Sequence, residues 1–306
     1  MTAWRFNLPS RFASLPPLAA EVTFGGSALP AFAIRPASGG LPVSDSTDHE
    51  VSIMKFNPVL RRATLVAAFV ACGLLLTSTA QAQWGDLTGQ FIFEGDIPAP
   101  DEADSTKEPT CAKTALTDEL VINKDSKGIA NIFVFIPAKE KPKVHPDLKA
   151  SKTKDVTLDQ KLCRFVPHAQ VMRTDQILDV KSMDNFLHNT RPNPLKNDPV
   201  NFAVPANARE GLTWKVKVAE TNPTQIKCDI HTWMSAYVLI LDHPYAVVSD
   251  KDGKFKIEKL PVGELEFRYW HERAGYVEKA VKIKIENGKT KDLGVIKLKA
   301  DKFPKS

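Results

Sequence analysis

Three features that would point to common classes of protein are missing from this 306-residue sequence. The formal charge is only +5, and no block of lysine and arginine with interleaved aromatic residues occurs, so nucleic-acid binding has no support. The main apolar run, residues 63–76, has about 14 residues, too few to span a bilayer comfortably. No helical pattern of convincing length follows it. The sequence therefore predicts no nucleic-acid partner and no membrane span in the mature chain.

The apolar run lies in a segment with the layout of a secretory signal peptide. In residues 54–82, Met54 is followed by basic residues, then by the apolar run, and finally by a cleavage motif of the A-x-A type. Signal peptides act at the N-terminus, so we interpret residues 1–53 as an untranslated or disordered extension. The mature chain is then expected to begin at Gln83 and to be periplasmic or secreted. A lipid anchor on Cys72 is left open as an alternative.

Cysteine is scarce, and its count is informative. The chain has four cysteines, of which Cys72 would be removed with the signal peptide. Cysteines of an oxidising compartment tend to pair, so one of the three that remain is left over. Cys111 and Cys163 lie in segments with no other notable feature, and we predict a disulfide between them. Cys228 is then the spare thiol, and other metal-binding residue types flank it.

Short segments of alternating apolar and polar residues dominate the rest of the chain. Turn residues separate them, which favours antiparallel β-sandwiches. Two further stretches, residues 138–155 and 189–201, are interpreted as long surface loops. The predicted strands are residues 87–95, 128–137, 176–184, 212–220, 233–242, 254–260, 264–270, 277–286 and 293–299.

Two turn motifs mark the C-terminal part of the chain. A D-x-D-G turn at residues 250–253 precedes a P-x-G turn at residues 261–263, a pattern that resembles the small β-sandwich called carboxypeptidase regulatory-like. The resemblance implies a second sandwich over residues 243–306. Segment 87–95 has a similar pattern, and pairing with this second sandwich instead of the first is left open.

One short loop carries three side chains that suit a single metal ion. Two residues separate Cys228 from His231, and two separate His231 from Met234. Copper that cycles between Cu(I) and Cu(II) is held well by two imidazoles and a thiolate in a plane, with a long axial thioether. The second imidazole has to come from elsewhere in the chain. The candidate is His188, which follows predicted strand 176–184.

This loop resembles the ligand loop of the cupredoxins, the type 1 blue copper proteins, and its spacing most resembles that of amicyanin. The resemblance implies a cupredoxin-like Greek-key β-sandwich over residues 83–242, followed by the smaller sandwich. Residues 85–300 also resemble a periplasmic family labelled methylamine-utilisation-like. Asn189 would steady the ligand loop from outside the coordination sphere. The ligands of one type 1 copper ion would be His188, Cys228, His231 and Met234.

Other interpretations of these residues stay open. Cys228 and His231 by themselves are half of a zinc site, although structural zinc sites rarely use methionine. Met234 taken alone suggests core packing. His168 is the alternative ligand. Residues 271–272 form a His–Glu pair, but no nucleophile is expected beside it.

A copper site with four protein ligands has no open position for a substrate, so it moves electrons. We therefore predict that the chain is not an enzyme but a carrier of single electrons, acting through an exposed edge of His231. Trp233 and its neighbours would dock a redox protein such as a cytochrome or a periplasmic dehydrogenase. Asp229 is expected to lower the reduction potential or to weaken the loop hydrogen bonds. The alternatives are copper storage or delivery, and a non-redox module that binds a carbohydrate or an envelope partner.

Overall fold

In the part of the chain that the structure describes, β-strands make up nearly all of the regular secondary structure, as the alternating pattern predicts. The computed structural model describes residues 83–100, 102–103, 111 and 117–304. The interpretations of residues 1–53 and 54–82, with the cleavage site and Cys72, lie outside the described residues. Among the residues that are described, no helix is both long and apolar enough to cross a membrane.

The described part of the chain contains sixteen strands and three short 3-10 helices. The helices are Ala138–Glu140, Pro146–Leu148 and Ala300–Lys302. The strands are β1 (Trp84–Glu94), β2 (Phe133–Phe135), β3 (Asp155–Gln160), β4 (Phe165–Val166), β5 (Ala169–Arg173), β6 (Ile177–Ser182), β7 (His188–Asn193), β8 (Phe202–Val204), β9 (Leu212–Lys215), β10 (Thr224–Lys227), β11 (Ser235–Leu241), β12 (Ala246–Val248), β13 (Lys254–Pro261), β14 (Gly263–His271), β15 (Gly275–Ile285) and β16 (Thr290–Lys299).

Two sheets form a first sandwich around one apolar core. Their strand orders are β5-β11-β10-β7-β8 and β4-β3-β6-β9. The core contains Leu158 and Trp214 from one sheet and Val238 from the other, each at most 2% exposed. Two of the pairs, β3 with β6 and β5 with β11, are parallel, so the prediction of antiparallel pairing is wrong for them, as it is for β1 with β16 in the second sandwich. Parallel neighbours need a crossover connection, and here the chain visits the opposite sheet before it returns.

Two further sheets, β13-β1-β16 and β12-β2-β14-β15, enclose a second core that includes Phe91, Tyr245 and Phe267. Strand β1 lies between β13 and β16, and its residues alternate strictly between buried and half-buried until its last residue. The segment 87–95 therefore pairs with the second sandwich, the alternative left open above. The predicted domain limits, 83–242 and 243–306, stay a prediction, although the pairing assigns β1 and β2 to the sheets of the C-terminal strands.

Strand β7 corrects the prediction that residues 189–201 form a surface loop. It lies between β10 and β8 in the five-stranded sheet, with Pro192 opposite Ile226. Its polar residues are buried because they find partners: Thr190 accepts a hydrogen bond from Gln160 at 2.7 Å. A polar strand that contains proline has no apolar alternation to identify it. Residues 138–155 do form a connection, with two short 3-10 helices.

The two sandwiches contact one another through β11. Leu239 and Leu241 on this strand pack against Phe133 and Phe135 of β2, and all four are at most 1% exposed. Since β11 also contributes to the first core, it is covered on both faces along its second half. The strand that leaves the candidate ligand loop is thus held by both sandwiches.

The burial of two histidines leads us to expect that the fold loses stability in acid. Burial lowers the pKa of His243 to about 4, and burial also lowers the pKa of His271 to about 3. Both stay neutral in the folded chain while the unfolded chain binds protons below the ordinary pKa of 6.5. The free energy of unfolding therefore falls as pH falls from 6.5 towards 4, and His243 alone should account for about 3 kcal/mol of that loss.

The measurement is urea unfolding of the wild-type protein and of the His243→Gln variant from about pH 7 to about pH 4. The slope of stability against pH should be smaller in the variant. His145→Gln, at a half-buried histidine, controls for the loss of an imidazole as such. Equal slopes in His243→Gln and the wild type would contradict the prediction.

Candidate metal centre

The candidate metal centre is built on the hairpin between β10 and β11, which pair antiparallel. Two hydrogen bonds fold the connecting loop. The Cys228 N–H donates to the carbonyl of Met234 at 3.2 Å, and the Met234 N–H donates to the carbonyl of His231 at 2.8 Å. Cys228, His231 and Met234 are each 2% exposed. The loop therefore buries all three of its potential ligands.

His188 reaches this loop from the neighbouring strand, because it is the first residue of β7 and β7 pairs with β10. Its Nδ1 lies 3.0 Å from Nδ1 of His231. Nδ1 of His231 lies 3.6 Å from Sγ of Cys228. Potential ligand atoms of these three residues all lie within 4.8 Å of one another, and no other such group of three is found in the described part of the chain.

The separations of the donor atoms fit a metal ion. A trigonal ion with bonds of about 2.0 Å to nitrogen and about 2.3 Å to sulphur would place its nitrogens about 3.5 Å apart and its sulphur about 3.7 Å from each. The observed 3.6 Å between sulphur and nitrogen lies close to the second value, and the observed 3.0 Å between the two nitrogens is shorter than the first. Two imidazoles and a thiol are also the donor set that suits copper. Met234 is packed in the core of the first sandwich, and its role as axial ligand stays a prediction.

The cysteines are distributed as the sequence predicts. A disulfide joins Cys111 to Cys163, with a Cα–Cα distance of 5.8 Å. Cys228 is a free and buried thiol. Only a sulphur that is not in a disulfide becomes the thiolate that binds metal, so Cys228 is available for that role.

Asn189 contacts the start of the ligand loop, and its role in steadying a metal-bound loop stays a prediction. Its Oδ1 accepts hydrogen bonds from the backbone N–H groups of Asp229 at 2.6 Å and Ile230 at 3.3 Å. The Cys228 thiol lies 3.3 Å from the same oxygen. Its Nδ2 donates to Asn201 and to the Asp229 carboxylate, each at 2.9 Å. One side chain of β7 thus ties together the start of the ligand loop.

The Asp229 carboxylate faces a positive partner beside the centre. The Arg191 guanidinium donates two hydrogen bonds to Asp229 at 3.0 Å and one at 2.7 Å. The hydrogen bond from Arg191 holds the pKa of Asp229 below its ordinary value. Asp229 also joins the loop to Asn189, so the carboxylate supports the loop. These contacts do not favour the expectation that Asp229 weakens the loop hydrogen bonds, and its effect on the reduction potential stays a prediction.

His231 is not the exposed edge that the sequence analysis expects. Its ring is buried between neighbouring aromatic groups, with centroid distances of 5.8 Å to Phe186 and 5.4 Å to Trp233. Trp233 is itself only half-buried and packs against the first core. Four exposed apolar residues each directly precede, in sequence, a residue of the centre or of its surroundings. We name them the apolar rim: Leu162, Met183, Leu187 and Ile230, which are 55%, 50%, 52% and 42% exposed.

His168, the alternative ligand, lies elsewhere. Its Nε2 pairs with the buried carboxylate of Glu272 on the second sandwich. Burial raises the pKa of Glu272 above its ordinary value, and the hydrogen bond with His168 opposes that shift. The pair joins the two sandwiches, and neither His168 nor Glu272 belongs to the group of converging ligand atoms.

Asp184, four residues before His188, belongs to the polar turn that resembles the cupredoxin pattern, but its contact with His188 was not predicted from the sequence. Its Oδ2 lies 2.9 Å from Nε2 of His188, and the residue is only 7% exposed. Burial lowers the pKa of His188, while the hydrogen bond with Asp184 acts in the opposite direction. An acidic residue close before a candidate ligand histidine was the available signal.

Comparisons with known proteins identify no family for this chain. No family model matches it, and no curated protein matches it. Two interpretations therefore stay predictions: the resemblance to the methylamine-utilisation-like family, and the carboxypeptidase regulatory-like sandwich in the C-terminal part.

Several solved structures resemble part of the chain. A variant of amicyanin in its reduced Cu(I) form at pH 4 is 14% identical with a TM-score of 0.24, over 35% of this chain and 97% of that one. A copper-containing nitrite reductase from Thermus scotoductus SA-01 is 17% identical with a TM-score of 0.24, over 34% of this chain and 26% of the reductase. A purple cupredoxin from Nitrosopumilus maritimus is 11% identical with a TM-score of 0.23, over 29% and 99% of the two chains. Likenesses of this size do not assign a family or a role.

Proposed function

We propose that this chain binds one type 1 copper ion and carries single electrons between redox partners outside the cytoplasm. The ligands are His188, Cys228, His231 and Met234. The observation that carries the proposal is the convergence of two imidazole nitrogens and a free thiol sulphur within 4.8 Å, all of them buried. Copper bound there would supply a one-electron couple between Cu(I) and Cu(II).

The surrounding residues support electron transfer because they hold the donor atoms in place. The His231 N–H donates to Sγ of Cys228 at 3.4 Å, and Asn189 fixes the backbone on the other side of that sulphur. The rings of Phe186 and Trp233 cover His231 and limit the access of water. A set of four protein ligands leaves no open position for a substrate, which favours a carrier over an enzyme.

The apolar rim favours a protein partner near the centre. Each of its four side chains is at least 42% exposed and stands next in sequence to a residue of the centre or its surroundings. We infer that the four side chains share one surface, because the residues that follow them in sequence lie together, and exposed apolar patches are typical of interaction sites. The partner proposed is a redox protein such as a cytochrome or a periplasmic dehydrogenase. The disulfide between Cys111 and Cys163 favours an oxidising compartment such as the periplasm.

The test is a titration of the metal-free protein with Cu(II), followed by visible and electron paramagnetic resonance spectroscopy. The proposal expects one Cu(II) per chain and an intense visible band from the bound thiolate. Reduction of the ion by ascorbate should bleach the band, and transfer of the electron to an oxidised c-type cytochrome should restore it. Zn(II) competition measures selectivity. Tight binding of Cu(I) with no coloured Cu(II) form would favour copper storage or delivery instead. A protein that binds no metal would overturn the proposal and favour the non-redox binding module.

A further inference from the structure

The strongest unassigned feature is the buried carboxylate behind His188. Asp184 accepts backbone hydrogen bonds from Leu162 at 2.7 Å and from Cys163 at 3.0 Å, in addition to its contact with Nε2 of His188 at 2.9 Å. A carboxylate only accepts hydrogen bonds, so the ring hydrogen of His188 lies on Nε2. The lone pair of Nδ1 is then directed to the side where His231 lies.

The two backbone donors form the two-residue hairpin turn between β3 and β4, which Lys161 and Arg164 close with backbone hydrogen bonds. Leu162 and Cys163 both adopt left-handed conformations, with φ of 53° and 56°. Successive N–H groups in such a turn point to one side and suit an anion. The disulfide to Cys111 anchors this turn. Asp184 is thus held at both oxygens before it contacts the histidine.

The same turn also contacts the ligand loop. The carbonyl of Cys163 accepts a hydrogen bond from Nε1 of Trp233 at 3.3 Å, and Trp233 stands two residues after His231. The N–H of Cys163 donates to Asp184, which holds His188. The main chain of one residue therefore connects the two separate segments that carry the candidate ligands.

We propose that Asp184 is a positioning residue, which fixes the ring of His188 with its hydrogen on Nε2 and the lone pair of Nδ1 available to a metal ion. The disulfide-anchored turn at Leu162 and Cys163 holds Asp184 in that position. This inference rests on the proposed function for its effect on copper. Groups that bond to a ligand histidine from outside the coordination sphere typically change metal affinity by about 10–100-fold. A ring held at Nε2 also has little freedom to turn when the charge of the ion changes.

The first test needs no variant and no copper. Nitrogen-15 NMR of the metal-free, full-length protein should show the His188 ring hydrogen on Nε2, slowly exchanging and coupled to an acceptor. A ring hydrogen on Nδ1, or rapid exchange at Nε2, would overturn the proposal. This measurement does not depend on the proposed function. If the protein binds no copper, the proposed function is refuted, and the position of the ring hydrogen alone decides the positioning role.

The second test is the Asp184→Asn variant, which keeps the size of the side chain and removes one of its acceptor oxygens. Its Cu(II) and Cu(I) affinities, measured by competition with chelators, should be about 10–100-fold weaker than those of the wild type, and its His188 ring should exchange faster. The matched control is Glu220→Gln. Glu220 is a carboxylate 1% exposed that accepts backbone hydrogen bonds from Leu195, Lys196 and Asn197.

Glu220→Gln should leave copper affinity and the His188 ring unchanged. Equal weakening of affinity in the two variants would show a general effect of disturbing a buried carboxylate, and would overturn the positioning role. Unchanged affinity in Asp184→Asn would overturn it too. If Asp184→Asn does not fold, the ring measurement on the wild type still decides.

Discussion

Replacement of Cys228 by serine should abolish the intense visible absorption of the copper-loaded protein. That absorption arises from charge transfer between a thiolate and Cu(II), and serine supplies no thiolate. The soft sulphur is also the ligand that best suits Cu(I). Changes outside the coordination sphere cost about 10–100-fold in metal affinity, so loss of the ligand itself should exceed that range. Visible spectra and chelator competition for Cu(I), with the two proteins side by side, provide the measurement.

The matched control for this variant is Thr232→Ala in the same loop. Thr232 is exposed and lies between His231 and Trp233, so its variant should keep both the band and the affinity. A band that survives in Cys228→Ser would mean that another residue gives rise to it. Loss of the band in both variants would mean that the loop conformation, and not the thiolate, is what the spectrum reports.

Removal of the disulfide between Cys111 and Cys163 should lower the free energy of unfolding by about 4 kcal/mol. The bridge joins residues 52 apart in sequence, and a closed loop of that length restricts the unfolded chain strongly. The measurement is urea unfolding of the metal-free wild type and of the double variant Cys111→Ser, Cys163→Ser. Copper has to be absent, because ligand binding would add its own stabilisation of the folded state.

Cys228→Ser serves as the control here as well, since it removes a buried sulphur without breaking a bridge. Its loss of stability should be clearly smaller than that of the double variant. A similar loss in both proteins would show that the bridge contributes no more than a buried thiol does. The double variant should also weaken the hold on Asp184, because Cys163 donates to that carboxylate.

Features that depend on neighbours in sequence were predictable. The strict alternation of β1 was visible in the residues themselves. So was the D-x-D-G turn, where Oδ1 of Asp250 accepts from the N–H groups of Asp252 and Lys254, each at 2.9 Å. Gly253 has φ of 76°, and a Cβ there would lie 2.0 Å from the carbonyl oxygen of Phe91. Glycine is the residue that such a position requires.

Strand pairing and polar burial that depend on distant partners were not predictable from the local pattern. The strand at β7 is polar and contains Pro192, and it is buried only because residues such as Gln160 satisfy Thr190. Likewise, β1 pairs with β13 and β16 of the second sandwich. Those strands lie more than 150 residues away along the chain, so the residues of β1 alone do not identify them. The register that joins them is set by packing around a common core and leaves no mark in either segment alone.

For the candidate metal centre, the sequence by itself determined which ligand types are available: a thiol, an imidazole and a thioether at fixed spacing on one loop, with a second imidazole upstream. Residue types and short spacings fix which ligand atoms are available. Only the tertiary structure decided that His188 meets His231 at 3.0 Å, that His231 is buried, and that Asp184 stands behind the site. Those relations arise because strands β7 and β10 pair and because Cys163 contacts both Asp184 and Trp233. Pairing between distant segments is a property of the folded chain.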